Sequence, residues 1–201
     1  MINEHGQRAL IVFVKNPVQG QVKTRLGKEI GMEEALKVYL LLLAYTRSVC
    51  TEVDADIHVF FSNHIPEQTE WAALSQGLHV QRGDDLGTKM TTAFEEMYQR
   101  YEHVAIIGSD CPGLKPEYIE QGFQAISKGQ YAIGPAEDGG YYLFGAPRTA
   151  ILPFKGIEWS SKHVLRQTLD QIESTDFEAT QLPILRDLDT LEDLEASNLD
   201  Y

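Results

Sequence analysis

Between His5 and Lys28 there is no Asp or Glu, yet Arg8, Lys15, Lys23, Arg25 and Lys28 all fall there. The whole chain carries 17 Lys+Arg against 30 Asp+Glu, a formal charge of −13, so this stretch reverses the local sign. Lysine offers a mobile point charge, the planar arginine fork grips two oxygens, and nearby backbone N–H groups add to the field. Such a segment suits phosphate; a solvated surface turn has the same composition. Two familiar phosphate loops are missing: Val22, not Gly, precedes Lys23-Thr24, and no G-x-G-x-x-G follows the first apolar run.

Three acidic clusters stand apart from the general negative charge. In Gly108-Ser109-Asp110-Cys111-Pro112-Gly113, Asp110 follows a buried-looking strand. A carboxylate there suits Mg²⁺, which needs only one or two from the protein when phosphate and water supply the rest; capping of the turn before Pro112 is the competing reading. In Gly134 to Gly145, Glu137 and Asp138 precede two glycines. Asp138 there can point at hydroxyls or a reacting group, while Asp138-Gly139 is also a common hairpin turn. Asp187 and Asp189 stand before the last helical segment, either of them a candidate second metal ligand, Asp189 equally a helix N-cap. Cys111 has no identifiable histidine base and reads as a small buried residue. The six histidines show no i, i+4 pair and no H-x-H, which argues against zinc. Tyr141, Tyr142 and Trp159 are either an acceptor wall or core packing.

These residues need a frame. Short, continuous apolar runs at Leu10–Val14, Ile57–Phe61 and Val104–Ile107 predict strands buried on both faces. Further strands are expected at Leu78–Gln81, Tyr131–Ile133, Tyr141–Phe144 and Thr180–Leu185, and a loop from Lys15 to Lys28. Helical period predicts helices over Met32–Val49, Glu67–Leu74, Thr88–Tyr101, Pro116–Ser127, Ser161–Ile172 and Leu191–Asn198, with Ser160 or Ser161 opening the fifth. The alternation of strand and helix predicts a doubly wound, mostly parallel sheet with helices on both faces, which binds ligands beyond the carboxyl ends of its strands. No linker or repeat divides residues 1–201, so one domain is expected. The acidic balance argues against a nucleic-acid partner. No apolar run reaches a membrane span, and the first six residues lack a cationic leader start. Two cysteines outside any ligand spacing fit a reducing cytoplasm.

Four separated segments, Lys15–Leu26, Gly108–Leu114, Gly134–Gly145 and Asp187–Leu194, resemble the nucleotide-diphospho-sugar transferase-like family that includes the radical-SAM/selenodomain-associated transferases. The likeness runs from about Ala9 to Leu194. More distantly, the chain is similar to the molybdenum cofactor and phospholactate guanylyltransferases. The resemblance implies a three-layer α/β/α fold of the GT-A, Rossmann-like type. It implies that Lys15, Lys23 and Arg25 contact nucleotide phosphates, that Asp85 shapes the nucleotide pocket, and that Asp110 and Asp189 hold Mg²⁺ or Mn²⁺. Lys23 and Arg25 would stabilise charge on a leaving group, with Asp138 as base or sugar-hydroxyl partner. The first expectation is glycosyl transfer from a nucleotide sugar to a small-molecule acceptor. The second is nucleotidyl transfer from an NTP to a phosphorylated acceptor; a non-catalytic nucleotide-binding module is the expectation from another class. The chain has a single Asp in Ser109-Asp110-Cys111 where many GT-A glycosyltransferases have D-x-D, and it lacks the G-x-G-x-R of sugar nucleotidyltransferases.

Overall fold

The computed structural model describes residues 8–197 and 199; the N-terminal six residues, His5 and Asn198, all discussed above, lie outside the described residues. Seven strands form one sheet: β1 (Arg8–Val14), β2 (Asp56–Phe61), β3 (Gly77–Val80), β4 (His103–Ile107), β5 (Tyr131–Pro135), β6 (Tyr141–Pro147) and β7 (Ala179–Gln181). Their order is β3-β2-β1-β4-β6-β5-β7. β1 pairs parallel with β2 and β4, β2 with β3, and β5 with β7; β6 alone runs antiparallel to its neighbours β4 and β5. The mostly parallel α/β architecture expected from the apolar runs is therefore the one observed.

Alternation along β1 shows why the sheet has two covered faces. Leu10, Val12 and Val14 point into a core shared with Tyr39 and Leu43 of α2 (Met32–Cys50) and Ile119 and Phe123 of α4 (Pro116–Ser127). Ala9 and Ile11 point the other way, against Met90 and Phe94 of α3 (Leu86–Met97) and Ile172 of α5 (Val164–Glu173). A strand with both faces buried must be apolar at every position, hence the unbroken run. A third cluster joins α1 (Thr24–Ile30), α2 and α6 (Leu191–Ala196) through Leu26, Val38, Leu42, Leu188 and Leu194.

Several elements differ from the sequence expectation. The basic segment is not loop throughout, because Thr24–Ile30 is helical. Its periodicity is weak, with Gly27 in the middle, but Gly27 lets α1 approach α2 closely: a Cβ there would stand 2.5 Å from Met32 Sδ. Glu67–Leu74 yields only a 3₁₀ turn, Glu70–Ala73, held by the side chain of Thr69. Helix α5 opens at His163 without a side-chain cap, later than Ser160 or Ser161. The last strand shortens to Ala179–Gln181, and Leu185 returns to the sheet only through a bridge to Ala136. β6 reverses because five residues connect it to β5, too few for a parallel crossover.

Away from the functional edge, His58 on β2 is 1% exposed within a polar chain. The Tyr101 hydroxyl donates to Asp56 Oδ2 (2.9 Å) and lies 3.0 Å from His58 Nε2, while His58 Nδ1 lies 3.1 Å from His79 Nε2. With the Tyr101 proton engaged in the bond to Asp56, His58 Nε2 donates to the Tyr101 oxygen, and Nδ1 faces His79 Nε2. Glu96 closes the chain, 2.7 Å from His79 Nδ1 and 2.6 Å from Arg82. Burial, then His79 and Arg100, push His58 down to about 4, against the opposing pull of Asp56 and Glu96. Below its ordinary value of about 6.5 the unfolded chain takes up a proton that folded His58 refuses, so acid favours unfolding. The stability advantage of wild type over His58→Gln should therefore narrow by about 1–2 kcal/mol between pH 7 and pH 5, read by urea denaturation.

Candidate functional site

At the carboxyl edge of the sheet lies a cavity of about 590 Å³ lined by Lys15, Lys23, Arg25, Tyr39, Asp110, Asp138, Tyr141, Trp159, Lys162, Asp187 and Asp189, among others. A smaller apolar cavity of about 270 Å³ adjoins it, sharing Lys15, Leu86, Asp110 and Tyr141. Residues separated by up to 174 positions in the chain thus face one space.

The loop after β1 is held from two sides. Asn16 is buried; its Oδ1 accepts from Asn63 N–H (2.9 Å) and the Ser62 hydroxyl (3.1 Å), and its Nδ2 donates to His64 C=O (2.8 Å). On the other side the Tyr39 hydroxyl accepts from Lys15 N–H (2.9 Å) and donates to Lys15 C=O (3.0 Å). Ser109 Oγ lies 3.3 Å away; with the Tyr39 proton committed, Ser109 is the donor. One phenol of α2 thereby ties the backbone of Lys15 to the residue before Asp110. Neither Asn16 nor Tyr39 was singled out from sequence. The available signal was a hydroxyl in the apolar stripe Ala35, Val38, Tyr39, Leu42, Leu43.

Lys23 is the centre of the arrangement. Its backbone is left-handed, φ 46°, a conformation that costs a non-glycine residue about 1–2 kcal/mol. Its side chain is 3% exposed, with Nζ 2.6 Å from Asp110 Oδ1 and 3.2 Å from Asp189 Oδ1. Burial works against the charge, but the two carboxylates outweigh it and raise the ammonium above its ordinary value. The shorter of the two contacts is the ion pair with Asp110. Arg25 is largely exposed, 3.9 Å from Asp189 Oδ2, and Lys15 stands exposed at the rim.

Backbone bonding brings the distant acids together: Leu188 N–H donates to Asp110 C=O (2.9 Å), and Leu188 itself is buried. The N-cap of α6 is Thr190, in a reciprocal capping box with Asp193, so the Asp189 carboxylate is not spent on the helix. Burial, then the carboxylates of Asp110 and Asp138, push Asp187 up to about 7, with Lys23 pulling the other way. Asp138 sits in the β5–β6 turn with Oδ1 accepting from Gly140 N–H (2.8 Å); it serves the hairpin and faces the cavity at once. Gly139 has φ +89°, and a Cβ there would meet Lys162 O at 2.2 Å, so the 159–163 segment packs directly on this turn. Asp85 stands outside the cavity lining and caps α3, accepting from Thr88 N–H (2.7 Å), which holds its carboxyl below the ordinary value. Cys111 is buried, its thiol pushed up to about 12 chiefly by burial, and unsuited to nucleophilic work. Tyr141 and Trp159 line the large cavity and Tyr142 the smaller one, its hydroxyl donating to Pro183 C=O.

The donor set is all oxygen, as Mg²⁺ and Mn²⁺ prefer. Among the described residues no three ligating side chains already surround one point. Asp110 and Asp189 nevertheless hold a single ammonium between them, each through one oxygen. Two such carboxylates fit a hard divalent ion that takes its other ligands from phosphate and water.

Fold and site together define a domain of the nucleotide-diphospho-sugar transferase type. The family model described as "Uncharacterized protein conserved in bacteria (DUF2064)" matches residues 45–161, and the chain belongs to that family. A crystal structure from Desulfovibrio desulfuricans G20, of a protein provisionally classed as a nucleotide-diphospho-sugar transferase, superimposes with a TM-score of 0.87 at 32% identity, covering 94% of this chain and 85% of that one. The inositol-1-phosphate CTP transferase of T. maritima shares the fold at 14% identity (TM-score 0.57; 94% and 91% covered). So does the glucosyl-3-phosphoglycerate synthase of Mycobacterium tuberculosis, seen with Mn²⁺ and UDP, at 10% identity (TM-score 0.55; 94% and 75% covered). No curated protein sequence matches the chain. No described helix is long and apolar enough to cross a membrane.

Tyr39→Phe keeps the ring and removes the hydroxyl that satisfies Lys15 N–H and C=O. Leaving those groups unmet should cost about 1–3 kcal/mol in chemical denaturation.

Proposed function

We propose that this protein is a Mg²⁺- or Mn²⁺-dependent transferase that uses a nucleotide-activated donor, passing a glycosyl group from a nucleotide diphospho-sugar to a small acceptor. The observation that carries this reading is the ammonium of Lys23 between Asp110 and Asp189 on the cavity floor, with Arg25 and Lys15 lining the same space. Carboxylates and cations lining one cavity suit a diphosphate bridged to a divalent ion. When bound, that ion would supply charge neutralisation on the diphosphate leaving group; Asp110 and Asp189 would hold it.

The chain's own residues do the rest. Lys23 and Arg25 stabilise negative charge growing on the phosphate oxygens as the bond to the sugar breaks. Lys15, its backbone fixed by Tyr39, binds the phosphates from the rim. Asp138 faces the same cavity and acts as base or as a partner for sugar hydroxyls. Asp85 shapes the nucleotide pocket indirectly, by fixing the first turn of α3 at Leu86, which lines both cavities. Nucleotidyl transfer from an NTP is the second reading, favoured by the basic segment's Lys15, Lys23 and Arg25 lining one cavity. A cytoplasmic site of action accords with two free, buried thiols, Cys50 and Cys111.

Calorimetric titration with nucleoside diphosphates, their sugars and triphosphates, with and without Mg²⁺ or Mn²⁺, tests the reading. Metal-dependent binding of a diphosphate or diphospho-sugar, with triphosphates no tighter, is the expected result. Preferential triphosphate binding replaces it with nucleotidyl transfer. Asp110→Asn should lower the metal-dependent affinity at least about tenfold, since it removes a ligand charge while keeping the shape; unchanged affinity and turnover would falsify the metal assignment.

A further inference from the structure

We propose that Lys23 acts as a built-in cation at the Asp110–Asp189 pair, so that a divalent ion is admitted only together with an anionic, phosphate-bearing substrate. The inference rests on the transferase reading above and adds an order of binding to it. Lys23 is the cation in ion-pair contact with both carboxylates, at 2.6 and 3.2 Å from one oxygen of each; Arg25 reaches only Asp189, at 3.9 Å. The Lys23 side chain is 3% exposed while that of Asp189 is 49% exposed. The ammonium is thus plugged into the floor, and the pair opens to the cavity on the Asp189 side.

An ammonium and a divalent ion drawn to the same two carboxylates repel each other. Metal–oxygen distances of about 2.1 Å place the two like charges only a few ångströms apart, and Lys23 takes up part of the carboxylate charge the ion needs. Binding of an ion there therefore favours withdrawal of Lys23 from at least one carboxylate. A withdrawn, nearly buried ammonium without a new partner is costly, because a lone charge loses its hydration and gains nothing. A phosphate in the same cavity, already facing Lys15 and Arg25, supplies that partner. Each ligand lowers the cost of the other, and thermodynamic linkage makes the effect reciprocal.

The test is Mn²⁺ titration of the full chain, followed by the paramagnetic resonance signal of free Mn²⁺, with no nucleotide present. Lys23→Met should bind Mn²⁺ at least about tenfold more tightly than wild type, as the competing charge is gone. Lys162→Met, which removes a cavity cation with no ion pair among the described residues, should stay within about threefold of wild type. Adding a nucleoside diphosphate should tighten Mn²⁺ binding by a larger factor in wild type than in Lys23→Met. Should Lys23→Met fail to fold by circular dichroism, Lys23→Gln, which keeps hydrogen-bonding capacity without charge, carries the same expectation. The proposal is overturned if neutralising Lys23 leaves Mn²⁺ affinity at the wild-type value, or if Lys162→Met gains as much. A failure of the transferase reading shows separately, as wild type binding no nucleotide with Mn²⁺ present.

Discussion

Burying an ammonium without a counter-charge costs more than most single interactions return, and the carboxyl edge of this protein is organised around one. Lys23 is held by Asp110, in the loop after β4, and by Asp189, which precedes α6. The pair of carboxylates exists only because Leu188 bonds to the Asp110 backbone and is buried against α1 and α2. Packing of the C-terminal segment and charge balance on the cavity floor are therefore one constraint. The same contact explains how four aspartates, Asp110, Asp138, Asp187 and Asp189, can line one cavity without tearing it apart: Asp187 yields by becoming a weaker acid, and Lys23 neutralises part of the rest.

Strand direction does the second part of the positioning. Loops after β1 and β4 leave at the carboxyl edge, as parallel strands require. β6 is inserted antiparallel between β4 and β5, so it starts at that edge, and the turn carrying Asp138 arrives on the same side as Lys15 and Asp110. The 159–163 segment then packs on Gly139, a contact only a residue without a Cβ permits, and brings Trp159 and Lys162 to the opposite wall. Tyr39 and Asn16 remove the remaining freedom of the basic loop through backbone hydrogen bonds. Preorganised cations of this kind lose little entropy on meeting a phosphate.

Much of the frame was legible in the residues. The runs Leu10–Val14, Ile57–Phe61 and Val104–Ile107 determined buried strands, because a strand covered on both faces admits no polar alternation. Pro116 marked the start of α4, since its missing N–H is one the helix leaves unpaired anyway. The reversal of charge around Lys15, Lys23 and Arg25 marked a stretch that does face a cavity. Helix α1 was missed because local periodicity carries little signal across Gly27; its helicity comes from packing against α2. The Glu67–Leu74 helix was over-read for the opposite reason, apolar spacing with only the single turn at Trp71 anchored in the core.

By itself, then, the sequence determined the layered α/β class, the approximate strands, and which residue types were available for phosphate and metal. Tertiary structure alone decided which of them meet. Lys23 and Asp189 are 166 residues apart, and no local rule of spacing or propensity relates them. The resemblance placed both Asp85 and Asp189 at the nucleotide site, yet Asp85 caps a helix while Thr190 frees Asp189 to face Lys23. The physical reason is that capping, strand burial and turn formation act within a few residues. A shared counter-charge in a low-dielectric pocket depends on long-range packing, which exists only once the chain has folded.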